Sequence, residues 1–361
     1  GAIAVSASAQ TPRYFDTAGA PDGIKRLAVC YPSRGTIEDI LALMEEGLLP
    51  AEKFEIVGVY HAKERTHYRE AQRLVAERKL DWFHFHEISA DLSPADLYKT
   101  NAASTDFAAI VAKSDGIILF GGPDIPPAAY GEKTGLLTVV TDPYRHYMEL
   151  SFVFHLLGGT QDAAFKGFLE TRPDFPVLGI CLGEQTLNCG TGGTLVQDSQ
   201  TEVYGRSSFE DVVAAGQPNW HTNPWPRLGP LDRSLIGYML HSIKLAAKGR
   251  LVADLCFKPE DEPYIMSAHH QAVDKIGKGF KVAAISLDGK VVEAIEHERF
   301  RNVLGVQFHP EFDMLWQREA KYKLTPSDKD LFAVRAYLES HPPSLAFNQK
   351  IWTWFFGLLE P

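Results

Sequence analysis

Cys181 is the residue of this chain best set for nucleophilic chemistry. It follows the apolar run 175–180 and lies two residues after Gly179 and two before Gly183. A strand that ends in G-x-C-x-G and passes straight into a helix is the cysteine form of a nucleophile elbow. The turn is tight, so both flanking positions must be small, and the thiol is lifted out at the carboxyl edge of the sheet. A helix expected over 182–189 would aim its amides and its positive end at the sulfur, which favours the thiolate. The competing reading is a buried core thiol, since free cysteine is among the most buried residue types.

A thiol nucleophile needs a base, and the base needs a third group to aim it. The chain has 13 histidines, and His309 has a local reason to be chosen. An apolar strand over 303–308 ends in His309-Pro310-Glu311. In extended chain, residues i and i+2 face the same side, and proline stiffens the link, so Glu311 can reach the imidazole. Alone, this stretch would read as a surface turn; beside a thiol elbow, Cys181, His309 and Glu311 read as a catalytic triad. His84 and His86 share one face of a strand over 82–88 and could bind metal, but a place at a strand edge is the preferred reading. Cys30, Cys189 and Cys256 lack such a setting and are expected to be core thiols.

The elements that must position these groups alternate through the first half. Apolar, β-rich runs at 26–31, 54–61, 82–88, 116–120 and 175–180 are separated by helical patterns at 36–48, 63–78, 104–113 and 144–157. The first helix opens on a capping signal, Thr36 with Asp39. Such alternation predicts a parallel sheet covered on both faces. The second half changes to short strands at 235–245, 264–267, 281–286, 291–296 and 303–308, with Asp288-Gly289 as a hairpin turn. A helix over 327–340 and an aromatic segment over 351–359 close the chain.

Composition narrows the partners. The 361 residues are 45% hydrophobic and 23% charged, with 36 basic against 46 acidic residues and a net charge of −10. No basic block marks a nucleic-acid or anionic-membrane surface. Four cysteines without a C-x-x-C pair make neither a disulfide framework nor a zinc knuckle. No run approaches the roughly 18 apolar residues that span a bilayer. Residues 2–10 read like the tail of a signal peptide, with Ala7-Ser8-Ala9 as a cleavage site, or equally as a short disordered leader. This leans the expected compartment towards the periplasm, with the cytoplasm as the alternative.

Further stretches bring in a family. Gly179–Gln185 and Val306–Glu311 resemble class I glutamine amidotransferase domains. The stretch 120–132, FGGPDIPPAAYGE, is similar to the G-G-x-D-[IV]-x-P-x-x-Y-G-E segment of the peptidase C26 branch, the γ-glutamyl-γ-aminobutyrate hydrolase-like proteins. Asp142-Pro-Tyr-Arg145 with Glu149, Gly192–Asp198 (GGTLVQD) and Ser267–Val273 (SAHHQAV) resemble further motifs of that branch, in the same order. The alternation and the resemblance together imply an α/β, flavodoxin-like three-layer sandwich with a central, mainly parallel sheet and a small antiparallel extension. The expected organisation is a leader over 1–22 and one amidotransferase-like domain over 23–361, with insertions and a C-terminal helical tail.

The resemblance also implies roles. Cys181 would attack a γ-glutamyl carbonyl to form a thioester, and His309 would shuttle the proton. The backbone N–H groups of Leu182 and Gly122 would form an oxyanion hole. Gln185, Ser267, His269, His270, Gln271 and Glu184 would belong to the substrate pocket. No cofactor and no metal are expected; the partners would be a small γ-glutamyl substrate and water, with a homodimer one expected assembly. Departures fall around the pocket. Glu184 stands where the family more often has an uncharged residue or histidine; it could raise the thiol pKa, bind a substrate amine or point into solvent. His146 replaces the aspartate expected after Arg145, and 158–172 looks inserted. The preferred function is a cysteine-dependent hydrolase of γ-glutamyl amides. The alternatives are a glutaminase subunit that feeds ammonia to a synthetase and, last, a non-catalytic binding protein.

Overall fold

The computed structural model describes residues 11–19, 23–50, 53–229 and 232–359. Its strands are β1 (Lys25–Cys30), β2 (Phe54–His61), β3 (Phe83–Ile88), β4 (Gly116–Leu119), β5 (Val177–Ile180), β6 (Leu195–Val196), β7 (Met239–Leu245), β8 (Tyr264–Ser267), β9 (Ala272–Val273), β10 (Phe280–Ser286), β11 (Val292–His297) and β12 (Val303–Val306). One sheet runs β3-β2-β1-β4-β5-β12-β11-β10-β7-β8, and β6 pairs separately with β9. From β3 to β12 every pairing is parallel; from β12 to β8 every pairing is antiparallel.

The central strands β4, β5 and β12 are buried along their whole length, which requires cover on both faces. One face packs on the helices Arg34–Glu45, Arg69–Glu77, Val334–Glu339 and Ser344–Leu359 through Ile37, Leu74, Leu338 and Trp352. The other packs on Ser104–Lys113, Pro143–Leu157 and Leu182–Gly190 through Phe107, Phe152 and Leu187. The fold is the expected flavodoxin-like α/β sandwich, extended by four antiparallel strands.

Local differences have local causes. The first helix begins at Arg34, and its cap is Ser33, whose hydroxyl accepts the Thr36 N–H at 3.2 Å; Thr36 is inside the helix. The second begins only at Arg69, because Glu64 turns back to accept the His61 N–H at 2.7 Å. The helix expected over 327–340 shrinks to Val334–Glu339. Asp328 takes the N–H groups of Leu324 and Thr325, and Tyr322 bridges to Phe332, so the chain before it cannot coil. Cys256 is exposed with φ +60°, whereas Cys30 and Cys189 are buried as expected.

Residues 1–10, with Ala7-Ser8-Ala9, lie outside the described residues, as do 20–22. Residues 13–17 of the expected leader pack along β3, the outermost strand, with Phe15 fully buried and its N–H donating to His86 Nδ1 at 3.1 Å. His84 and His86 thus sit at a sheet edge, as the sequence suggested. No helix among the described residues is long and apolar enough to cross a membrane.

Candidate active site

Cys181 stands at the carboxyl end of β5, as the N-cap of the helix Leu182–Gly190, with φ +52° and ψ −105°. A non-glycine residue in that region carries strain of order 1–3 kcal/mol and persists only where its surroundings fix it. The surroundings do so. A Cβ on Gly179 would meet the Gly183 carbonyl oxygen at 2.5 Å, and a Cβ on Gly183 would meet that of Leu119 at 2.1 Å. Both contacts are with backbone, so each glycine is required by the close approach of strand and helix. The Cys181 N–H donates to the Val306 carbonyl at 2.7 Å, which ties the elbow to β12.

His309 lies three residues beyond the end of β12, and its N–H donates to the Met266 carbonyl at 2.8 Å. Its Nδ1 lies 2.7 Å from Glu311 Oε1, and its ring stacks on Phe312 with centroids 4.1 Å apart. Burial opposes a charge on the imidazole, but Glu311 and the Cys181 sulfur outweigh it and raise His309 to about 10. With Nδ1 engaged by Glu311, Nε2 is the nitrogen left for the thiol. The segment is held from behind by the C-terminal helix, where the buried Trp352 Nε1 donates to the Pro310 carbonyl at 2.8 Å. Asp39, expected as part of a helix cap, faces this segment instead: its Oδ1 accepts the Asp313 N–H at 3.1 Å, and burial and Glu311 push it up to about 8.

The loop after β4 closes the third side. A Cβ on Gly121 would stand 2.9 Å from His309 Cε1 and 3.5 Å from Cys181 Cβ, so this glycine backbone lies against both groups. Neither Gly122 nor Leu182 donates its N–H to an acceptor among the described residues. Below the loop, Arg145 is fully buried. Its Nη2 donates to the Phe120 carbonyl at 2.7 Å, its Nε donates to Glu149 at 2.8 Å, and Tyr31 covers the guanidinium at 3.7 Å. His146, beside it, is buried with neither ring nitrogen partnered, and burial holds it well below its usual range.

The expected pocket residues divide. Gln185 Nε2 lies 3.0 Å from Gln307 Oε1 and 3.4 Å from the Gln271 carbonyl, and the Gln271 side chain is buried with both amide atoms unpartnered. His270 is clamped between Asp124, at 3.0 and 3.1 Å, and Asp198, at 3.2 Å. Burial disfavours its charge, yet the two carboxylates raise it to about 9. It therefore ties the Gly121–Asp124 loop to the segment after β6. Ser267 Oγ donates to the His221 carbonyl, and His269 turns inward towards Glu293. Glu184 does not point into solvent. It is fully buried with its Cγ beside Gly305, and neither oxygen has a partner. Burial first, then Glu293 and Cys181, holds its carboxyl well above the usual range.

Sequence reasoning noted Arg145, Glu149, Asp124 and Asp198 only as letters of motifs. Trp352 and Gln307 received no role, because their partners are distant in sequence and no spacing announces them.

The peptidase C26 family model matches residues 56–311, which contain Cys181, His309 and Glu311. The chain is 34% identical over 206 residues to the glutamine amidotransferase-like protein YvdE of Lactococcus lactis, covering 57% of this chain and 68% of that one. It is 29% identical over 225 residues to the glutamine amidotransferase-like protein RP404 of Rickettsia prowazekii, covering 55% and 70%. A glutamine-hydrolysing GMP synthase of Dictyostelium discoideum is 28% identical over 149 residues, which are 41% of this chain and 16% of that enzyme. The chain belongs to the peptidase C26 family and is a class I glutamine amidotransferase-like hydrolase.

Proposed function

We propose that this protein hydrolyses the C–N bond of a small γ-glutamyl amide through a thioester on Cys181, with His309 and Glu311 completing the triad. One observation carries the reading: a thiol held in a strained elbow beside an imidazole whose far nitrogen is fixed by a buried carboxylate at 2.7 Å. The raised basicity of His309 suits it to take the Cys181 proton as the sulfur attacks. The sulfur attacks the γ-carbonyl carbon, and the negative charge on the carbonyl oxygen is met by the Leu182 and Gly122 N–H groups. One such donor is worth about 10²–10³ in rate. The C–N bond breaks as the imidazolium proton passes to the leaving amine. Water then gives a proton to His309 and its oxygen to the acyl carbon, releasing glutamate and the thiolate. Glu311 fixes the tautomer throughout.

The γ-glutamyl preference rests on family membership. The test is a panel of γ-glutamyl amides, glutamine included, incubated with wild type and with Cys181→Ala. Hydrolysis of at least one member, lost in the variant, is expected; turnover that survives the substitution would sink the mechanism. Glutamine as the sole substrate, with turnover raised by a partner synthetase, would favour the glutaminase alternative.

A further inference from the structure

We propose that His221, His241, His269 and Glu293 form a closed binding site for a divalent transition-metal ion of the zinc class, separate from the reactive thiol. The four side chains come from β7 (His241), β11 (Glu293) and two loops (His221 and His269), and all four are buried. One ligand atom from each lies within 4.8 Å of the others.

Tautomers follow from the outer partners. His269 Nδ1 is 2.8 Å from the Gln271 carbonyl, and His241 Nδ1 is 3.2 Å from the Ser242 carbonyl. A carbonyl only accepts, so each Nδ1 carries the hydrogen and each Nε2 presents a lone pair. His221 Nε2 faces the Tyr204 hydroxyl at 3.4 Å, which leaves Nδ1 as its inward atom. The three inward nitrogens converge on the Glu293 carboxylate at 3.2, 3.6 and 3.8 Å. None of them makes a hydrogen bond, and both Glu293 oxygens are likewise unpartnered.

Buried polar atoms are nearly always satisfied, so five orphaned atoms facing one point need an explanation. A cation supplies it. Zinc binds imidazole nitrogen and carboxylate oxygen at about 2.0–2.2 Å, which puts neighbouring tetrahedral ligands about 3.3–3.5 Å apart. The three nitrogen-to-carboxylate separations, 3.2–3.8 Å, lie near that edge. Backbone carbonyls holding the outer N–H groups are the usual support for ligating histidines. Four protein ligands leave no open position, so the ion would be structural. It would clamp the loop that carries His269 and His270, which continues from β8, whose Met266 carbonyl receives the His309 N–H. By contrast, Asp16, His86 and Asp106 also converge, but Arg13 already pairs with both carboxylates.

The test uses the full chain without a histidine tag, stripped with a chelator and dialysed against zinc or cobalt(II). One equivalent of zinc per chain is expected in wild type and in Cys181→Ala. The cobalt form of both should show the visible bands of a tetrahedral ion without a thiolate charge-transfer band. Glu293→Gln and His241→Ala, checked for folding by circular dichroism, should lose the ion. Where those variants do not fold, the cobalt spectra of wild type and Cys181→Ala decide. The proposal is overturned if wild type retains no ion, if the folded variants keep it, or if the cobalt spectrum shows thiolate ligation. Metal content is read without reference to hydrolysis, so this result stands apart from that of the substrate panel.

Discussion

Replacing Gly122 with alanine tests how closely the loop after β4 is held. A Cβ there would stand 1.8 Å from Arg145 Nη1 and 2.9 Å from Cζ. Atoms in ordinary contact sit about 3.5 Å apart, so something must yield by roughly 1.7 Å. The guanidinium has little freedom, being bound to Glu149 and the Phe120 carbonyl and covered by Tyr31. The loop should move instead and carry the Gly122 amide away from the proposed oxyanion position. Loss of that donor predicts a fall in kcat of about 10²–10³, and the overpacking a stability loss of about 1–3 kcal/mol. Steady-state kinetics on the best γ-glutamyl amide, with urea unfolding in parallel, read both. Gly35→Ala is the control, since its nearest neighbour would be Ser33 Oγ at 3.8 Å. A Gly122→Ala variant with wild-type kcat and an unchanged unfolding midpoint would refute both the clash and the assigned role of the amide.

Trp352→Phe removes the donor to the buried Pro310 carbonyl. It should cost about 1–3 kcal/mol in urea unfolding and lower kcat more than it raises KM; an unchanged midpoint would show that the bond is not needed. His270, raised to about 9 by Asp124 and Asp198, gives a pH signature. Its stabilising contribution is fully present below the unfolded value of about 6.5 and is lost as pH rises through about 9. Unfolding midpoints of wild type should therefore decline across that window, and the decline should flatten in His270→Gln; parallel curves would count against the clamp.

The geometry of the proposed reactive centre was legible because its requirements are local. Gly179 and Gly183 are forced by one tight turn, and His309-Pro310-Glu311 needs only extended geometry to bring its two side chains together. Parallel strands were legible as apolar runs because both faces of the sheet are covered. What the sequence hid depends on residues brought together from afar. Thr36 looked like a cap because Asp39 follows it by three, but Ser33, three residues earlier, offers the same chemistry and takes the role. The helix expected over 327–340 was cut back by Asp328, whose capture of two amides leaves no mark on periodicity. Cys256 was expected in the core, but its loop turns outward. The burial of Glu184 against Gly305, and the convergence of His221, His241, His269 and Glu293, follow only from strand order.

Cys181 and His309 emerge from neighbouring strands, β5 and β12, whose residues pair Gly179 with Gly305 and Ile180 with Val306. Their separation is therefore set by a backbone ladder at the centre of a ten-stranded sheet and only secondarily by the side chains around them. In native-state hydrogen exchange such a ladder belongs to the slowest-opening part of a protein, whereas surface loops open far more readily. The proposed thiol–imidazole pair is thus anchored in the slowest-opening unit. If Cys181 and His309 are the reacting pair, exchanging the surrounding loops should change the preferred amide while leaving the thiol's position intact.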